Sequence, residues 1–186
     1  MSKQTIKSNL LKIKDPGSAI THFIAMALAI LAAGPLLIKA AKDPGQFHVT
    51  ALAVFIVSMI LLYAASTTYH TLDISPKINQ ILRKLDHMMI FILIAGTYTP
   101  VCMIVLGDKV GWFLLGLVWT IAIAGILIKA FWITCPKWFS SLLYIAMGWI
   151  CVLAFTRIIQ ALPPAAFGWL LAGGIIYTIG GIIYAL

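Results

Sequence analysis

Six apolar windows, roughly 18–38, 48–70, 85–106, 111–132, 139–161 and 165–186, take up most of this 186-residue chain. Each is about 20 residues long, which is what a helix needs to cross the hydrocarbon of a bilayer. Lipid offers the backbone no hydrogen-bond partners, so an apolar segment of that length satisfies its own N–H and C=O groups as a helix. The pattern predicts an all-α, polytopic membrane helix bundle forming a single domain over residues 1–186, with residues 1–17 a short basic segment ahead of the first span. Composition agrees: 62% of residues are hydrophobic and 10% charged, against about 25% charged in an average chain. A soluble interaction module is thereby excluded. The formal charge of +8 would suggest nucleic acid in a soluble protein. Here Lys and Arg are expected to set topology and meet anionic headgroups instead, with membrane lipids as partners and no nucleic acid.

Punctuation falls between the windows. Asp15-Pro16-Gly17 precedes the first and Asp43-Pro44-Gly45 follows it; Ser75-Pro76 breaks the second loop. Gly107-Asp108, Cys135-Pro136 and Pro163-Pro164 mark the later turns. With the N-terminus inside, the inner segments hold Lys3, Lys7, Lys12, Lys14, Lys77, Arg83, Lys84, Lys129 and Lys137. The outer ones hold Lys39, Lys42, Lys109 and Arg157. Nine against four predicts a cytoplasmic N-terminus in a multi-pass protein of the cell membrane. A cleavable signal peptide over the first 35 residues competes with this, but its apolar run would be longer than an ordinary signal core. Cys102, Cys135 and Cys151 lie in or beside apolar runs and read as packing residues.

The chemistry concentrates at the second loop. The second window ends in Ser66-Thr67-Thr68-Tyr69-His70, and the third opens with Leu85-Asp86-His87. A short connection makes the two helices antiparallel neighbours, so His70 and Asp86 are expected to meet at one depth near the inner face. Ionisable groups there are costly and are by default a functional site. Ser66 lies one helical turn deeper than His70 on the same face. A histidine facing inward can ligate zinc, a serine can hold a metal-bound water, and Asp86 can bond that water or act as general base. The alternative is a plain His–Asp hydrogen bond that closes the loop, since one imidazole and one aspartate fall short of the three ligands of a catalytic zinc.

Asp86 and His87 stand about 100° apart on a helix, so the two are not expected to face the same pocket; Asp86 is expected to point inward and His87 toward the rim or a neighbouring helix. His22 shares the side of His70 and reads as a supporting or extra ligand, or as an interfacial histidine. His48 is expected on the opposite side, out of reach. Gly96-Thr97-Tyr98-Thr99-Pro100 predicts a kink in the third helix, either opening a cavity beneath Asp86 or serving packing. Trp112, Trp132, Trp138, Trp169, Tyr63 and Tyr144 read as belt residues, and Gly173-Gly174 and Gly180-Gly181 as close-packing positions.

Thr21-His22, Ser66-x-x-x-His70, Leu85-Asp86-His87 and Ala95-Gly96-Thr97-Tyr98-Thr99-Pro100, in helix order, resemble the bacterial hemolysin III family. That family sits within the progestin and adipoQ receptor group, with the adiponectin receptors, and is similar at greater distance to the alkaline ceramidases. The resemblance covers essentially the whole chain, and the D-H…A-G-T-Y-T-P run is its specific part. It implies seven helices around an intramembrane zinc on the cytoplasmic side, with His70 a ligand, Asp86 holding the zinc-bound water and Ser66 the motif serine. It also implies two further histidine ligands from an H-x-x-x-H helix beyond Leu186, so that this chain carries six of seven helices. Upstream of the first helix, Asp15 and Ser18 stand where family members carry acidic residues and an asparagine. The implied function is membrane lipid homeostasis, with a zinc-dependent hydrolase of lipid amides as one form. A pore-forming cytolysin and a non-enzymatic sensor of membrane lipid state are the alternatives. No cleavable export signal, amphipathic inserting segment or ring of charges supports the cytolysin.

Overall fold

The computed structural model describes residues 13–43, 45–132 and 135–186; Lys3, Lys7, Lys12 and Pro44 lie outside them. Its described residues form helices and no strand. Among the described residues six helices are long and apolar enough to cross a membrane: α1 Pro16–Ala41, α2 His48–Thr71, α3 Pro76–Leu106, α4 Lys109–Phe131, α5 Lys137–Ala161 and α6 Pro164–Ala185. α1, α2, α3 and α4 pack against one another in chain order, and α6 packs on α5.

Local chemistry sets the boundaries. Prolines that lack an N–H occupy first-turn positions in α1, α3 and α6, where no intrahelical donor is needed. Asp108 caps α4 by accepting from the N–H groups of Val110 and Gly111, at 3.0 and 2.9 Å. Just before it, Gly107 takes a left-handed φ of 59° that ends α3 cheaply.

The third helix departs from expectation at both ends. It starts at Pro76, not near residue 85, because Ser75 accepts from the Ile78 N–H at 3.3 Å and Pro76 is the first helical residue. The Ser75-Pro76 pair that reads as a loop break is thus a helix start. Its first turns carry Lys77, Asn79, Arg83 and Lys84, too polar for a hydropathy window to include. The connection from α2 shrinks to residues 72–75, and Asp86 lies about three turns inside α3. At the other end Pro100 closes the α-helical part, and Val101–Leu106 continue as a π-helix.

Apolar side chains point both ways. Phe91, Ala95, Leu114, Val118, Ala122 and Met147 make a dry seam between α3, α4 and α5. Outward, Phe131 is 88% and Trp169 81% exposed, a surface suited to lipid rather than water. Helix approach is closest where side chains vanish: a Cβ on Gly96 would stand 2.0 Å from the Ser58 hydroxyl oxygen of α2. α5 breaks its α-helical course at Trp149–Ala154, a 3₁₀ segment. Tyr98 of α3 fastens that break, its hydroxyl donating to the carbonyl of Gly148 at 2.6 Å and accepting from the N–H of Cys151 at 2.8 Å.

Candidate functional site

A cavity of about 470 Å³ opens at the end of the bundle where α2 finishes and α3 begins. Its wall combines His22 of α1, Ser66, Tyr69 and His70 of α2, Arg83, Asp86 and His87 of α3, Lys137 of α5 and Tyr184 of α6. Five of the six spanning helices therefore contribute, and residues far apart in the chain become one polar chamber edged by the apolar side chains of Leu62 and Ile90.

Asp86 is 7% exposed, and its carboxylate faces the Ser66 hydroxyl, with His70, His22 and Lys14 within electrostatic reach. It stands level with Ser66, one turn farther into the bundle than His70. This follows from the antiparallel register that also sets Gly96 against Ser58. His70 takes a different carboxylate: its Nδ1 lies 3.0 Å from Oδ2 of Asp15. The segment before α1 is stitched to the end of α2. The Asp15 N–H donates to the His70 carbonyl at 2.9 Å, and the Lys14 N–H to that of Thr71 at 3.3 Å. The Lys14 ammonium lies 3.6 Å from the centre of the Tyr69 ring.

The imidazole of His22 stacks on that of His70, centroids 5.7 Å apart and planes 19° apart. It sits beside the site rather than bonded to a remote loop. His87 lines the same chamber as Asp86 despite the turn between them, because the chamber is wide enough to span it. Its Nε2 lies 3.3 Å from the hydroxyl of Tyr184 on α6. Tyr144 is not a belt residue: it is buried at 5% exposure, stacks near Phe91 and donates to the His87 carbonyl at 3.1 Å. The Gly96–Pro100 stretch, which is α-helical throughout, does not border the cavity. Its hydroxyls turn back on their own helix, Thr97 to Leu93 and Thr99 to Ala95, so the motif serves packing and, through Tyr98, the shape of α5. His48 lies at the other end of the bundle, 3.6 Å from Asp43.

From the sequence Asp15 reads as a turn residue ahead of α1 and as the acidic residue the resemblance places there, without a link to His70. The signal that could have singled it out is scarcity, since the chain has five carboxylates in all. Zinc can be tested against the donors present. With its proton on Nδ1 and held by Asp15, His70 keeps its Nε2 lone pair for the cavity, the arrangement that orients ligating histidines. Asp86 and Ser66 can hold a water beside it. Among the described residues no three His, Cys, Asp or Glu side chains converge as a direct ligand set. The chamber thus fits one imidazole ligand and one outer carboxylate of such a centre, and not a complete shell.

The family model described as "Haemolysin-III related" matches residues 11–186. Hemolysin-3 of Bacillus cereus is 42% identical over 171 residues, covering 92% of this chain and 78% of that protein. The Hemolysin-3 homolog of Bacillus subtilis (strain 168) is 38% identical over 171 residues, 92% of this chain and 80% of its own length. The matches run through every helix that builds the chamber, and this chain belongs to the haemolysin III family.

Proposed function

We propose that this protein works in membrane lipid homeostasis as a zinc-dependent hydrolase of lipid amides, with the chamber at the cytoplasmic side of the bacterial cell membrane. The observation that carries this reading is Asp86: a carboxylate buried inside a spanning helix, facing a serine hydroxyl, beside a histidine that a second carboxylate holds in place. Burying such a group in the bilayer costs several kcal/mol, and by default that marks it as part of a functional site. His70 would hold the metal directly and Asp86 through water. A bound zinc supplies Lewis acidity and an activated water at neutral pH.

The chain's own residues do the rest. Asp15 fixes the tautomer and direction of His70. Asp86 accepts a proton from the attacking water and returns it to the leaving amine. Ser66 orients either that water or the substrate carbonyl. The apolar walls at Leu62 and Ile90 admit a lipid chain from the bilayer.

The test is turnover of ceramide-like amides by the purified protein, with and without chelator, alongside His70→Ala and Asp86→Asn. Activity that survives either substitution undiscounted overturns the hydrolase. A second reading, membrane lysis, is favoured by the names of the relatives alone. Leakage from liposomes that persists in Asp86→Asn would support it in place of hydrolysis. If neither product nor leakage is found, a sensor of lipid state is what the same chamber leaves standing.

A further inference from the structure

The cavity end of the bundle carries more positive charge than the chain itself neutralises. Four of the five carboxylates are engaged with other groups. Asp15 holds His70, Asp43 lies by His48, Asp73 accepts from the Asn79 amide at 2.6 Å, and Asp108 pairs with Arg157. Asp73 keeps its charge, its partner being a neutral amide, and Asp86, facing Ser66, is the carboxylate in the cavity wall itself. Around it stand Arg83 and Lys137 in the cavity wall. Lys129, 5% exposed, lies within electrostatic reach of His87 and Arg83, and its ammonium is bonded to the neutral hydroxyl of Ser140. Lys129 does not line the cavity, so among the described residues it adds only its field to that of Arg83 and Lys137.

The start of α5 adds donors to the same place. It opens at Lys137, and among the described residues no side chain caps it and no acidic residue lies in its first turn. Its first N–H groups and the positive end of its dipole are therefore offered to an anion. Leu62 and Ile90 in the same wall supply an apolar flank beside the basic one.

We propose that the cavity takes the phosphate-bearing headgroup of an anionic lipid, held by Arg83, Lys137 and the first turn of α5. This rests on the reading of the chamber as the working site, and it narrows the substrate class from neutral ceramides to lipid amides that carry a phosphate. The shared chemistry is a phosphate whose negative charge no choline cancels, its oxygens meeting a guanidinium, an ammonium and backbone N–H groups.

The experiment measures binding, not turnover. The whole protein is placed in phosphatidylcholine nanodiscs with or without phosphatidylglycerol, and retained lipid is read by native mass spectrometry after release into detergent. Wild type should retain phosphatidylglycerol over phosphatidylcholine. Arg83→Gln with Lys137→Gln should lose that preference by about fivefold for each charge removed. Lys109→Gln, at the far end of the bundle, should keep it. Thermal unfolding in phosphatidylcholine alone shows that the double variant is folded. Inorganic phosphate forms the competing arm: displacement of the lipid assigns recognition to the phosphate group whatever its source, and persistence of the lipid assigns it to the headgroup in its membrane setting. Equal retention of both lipids by wild type, or a loss in Lys109→Gln as large as in the double variant, overturns the proposal. A protein that hydrolyses nothing can still show this binding, and one that cleaves neutral ceramide can fail to, so the two readings fail separately.

Discussion

The two ends of this bundle use the same kinds of residue for opposite purposes. At the end where α3 meets α4, Asp108 caps a helix and pairs with Arg157, and Asp43 sits by His48. Those groups are largely exposed, each carboxylate has a local partner, and their removal should cost little. At the end where α2 meets α3, the aspartate is buried, three histidines line one chamber, and basic side chains outnumber acidic ones. Paired charges at a helix end hold a turn; a buried carboxylate beside histidines, with basic side chains in excess at the cavity wall, is poised to bind or react. Burial and charge balance, rather than the presence of charged residues, distinguish a working site from a stabilised loop.

That contrast predicts graded effects. Asp86→Asn, nearly the same shape, should lower turnover by about 100-fold or more while the protein still folds, as judged by thermal unfolding. Retained activity would remove the distinction between the two ends. Asp15→Asn acts through His70 and should cost roughly 10- to 100-fold in metal retention and activity. Metal content and turnover falling together, with no drop in unfolding temperature, would mark Asp15 as a positioning residue. Tyr98→Phe sharpens the comparison from the middle of the bundle. It strips the partner from the Cys151 N–H, so about 1–3 kcal/mol of stability should be lost, seen as a lower unfolding temperature with the ratio of activity to folded protein unchanged.

The smallest effect belongs to Asp108. The Gly111 N–H, first of all, with Arg157 and Val110 adding to it, holds its carboxyl below the usual carboxylate range. A depressed folded pKa contributes stability above the unfolded value that is lost as pH falls through the folded one. Wild type should therefore show a slight acid-side decline in unfolding temperature, and Asp108→Asn should flatten it. A decline of the same size in Asp108→Asn would show that the far end matters less than its geometry suggests.

The sequence was most legible where chemistry is local. Window length and hydropathy located all six spanning helices, and Gly107-Asp108 and Pro163-Pro164 fell at true boundaries. Failures came where a residue's role depends on a partner distant in the chain. Ser75-Pro76 reads as a break until its cap geometry makes it a helix start. Tyr144 reads as an interface residue until α3 is packed against it. His70 and Asp86 were rightly brought to one chamber, yet the carboxylate that His70 bonds is Asp15, 55 positions away. No periodicity encodes that contact.

By itself, then, the order of residues decided that this chain folds as apolar helices with His70, Ser66 and Asp86 near one end, because backbone hydrogen bonding in lipid and short antiparallel connections leave little choice. Only the packed structure decided which carboxylate meets which base, that His87 and Asp86 share a chamber, and that two basic side chains, Arg83 and Lys137, stand there with Asp86 as the single carboxylate in the wall. Helix rotation and register set those contacts, and both are fixed by the fit of side chains such as Gly96 against Ser58, a match between helices rather than a property of either.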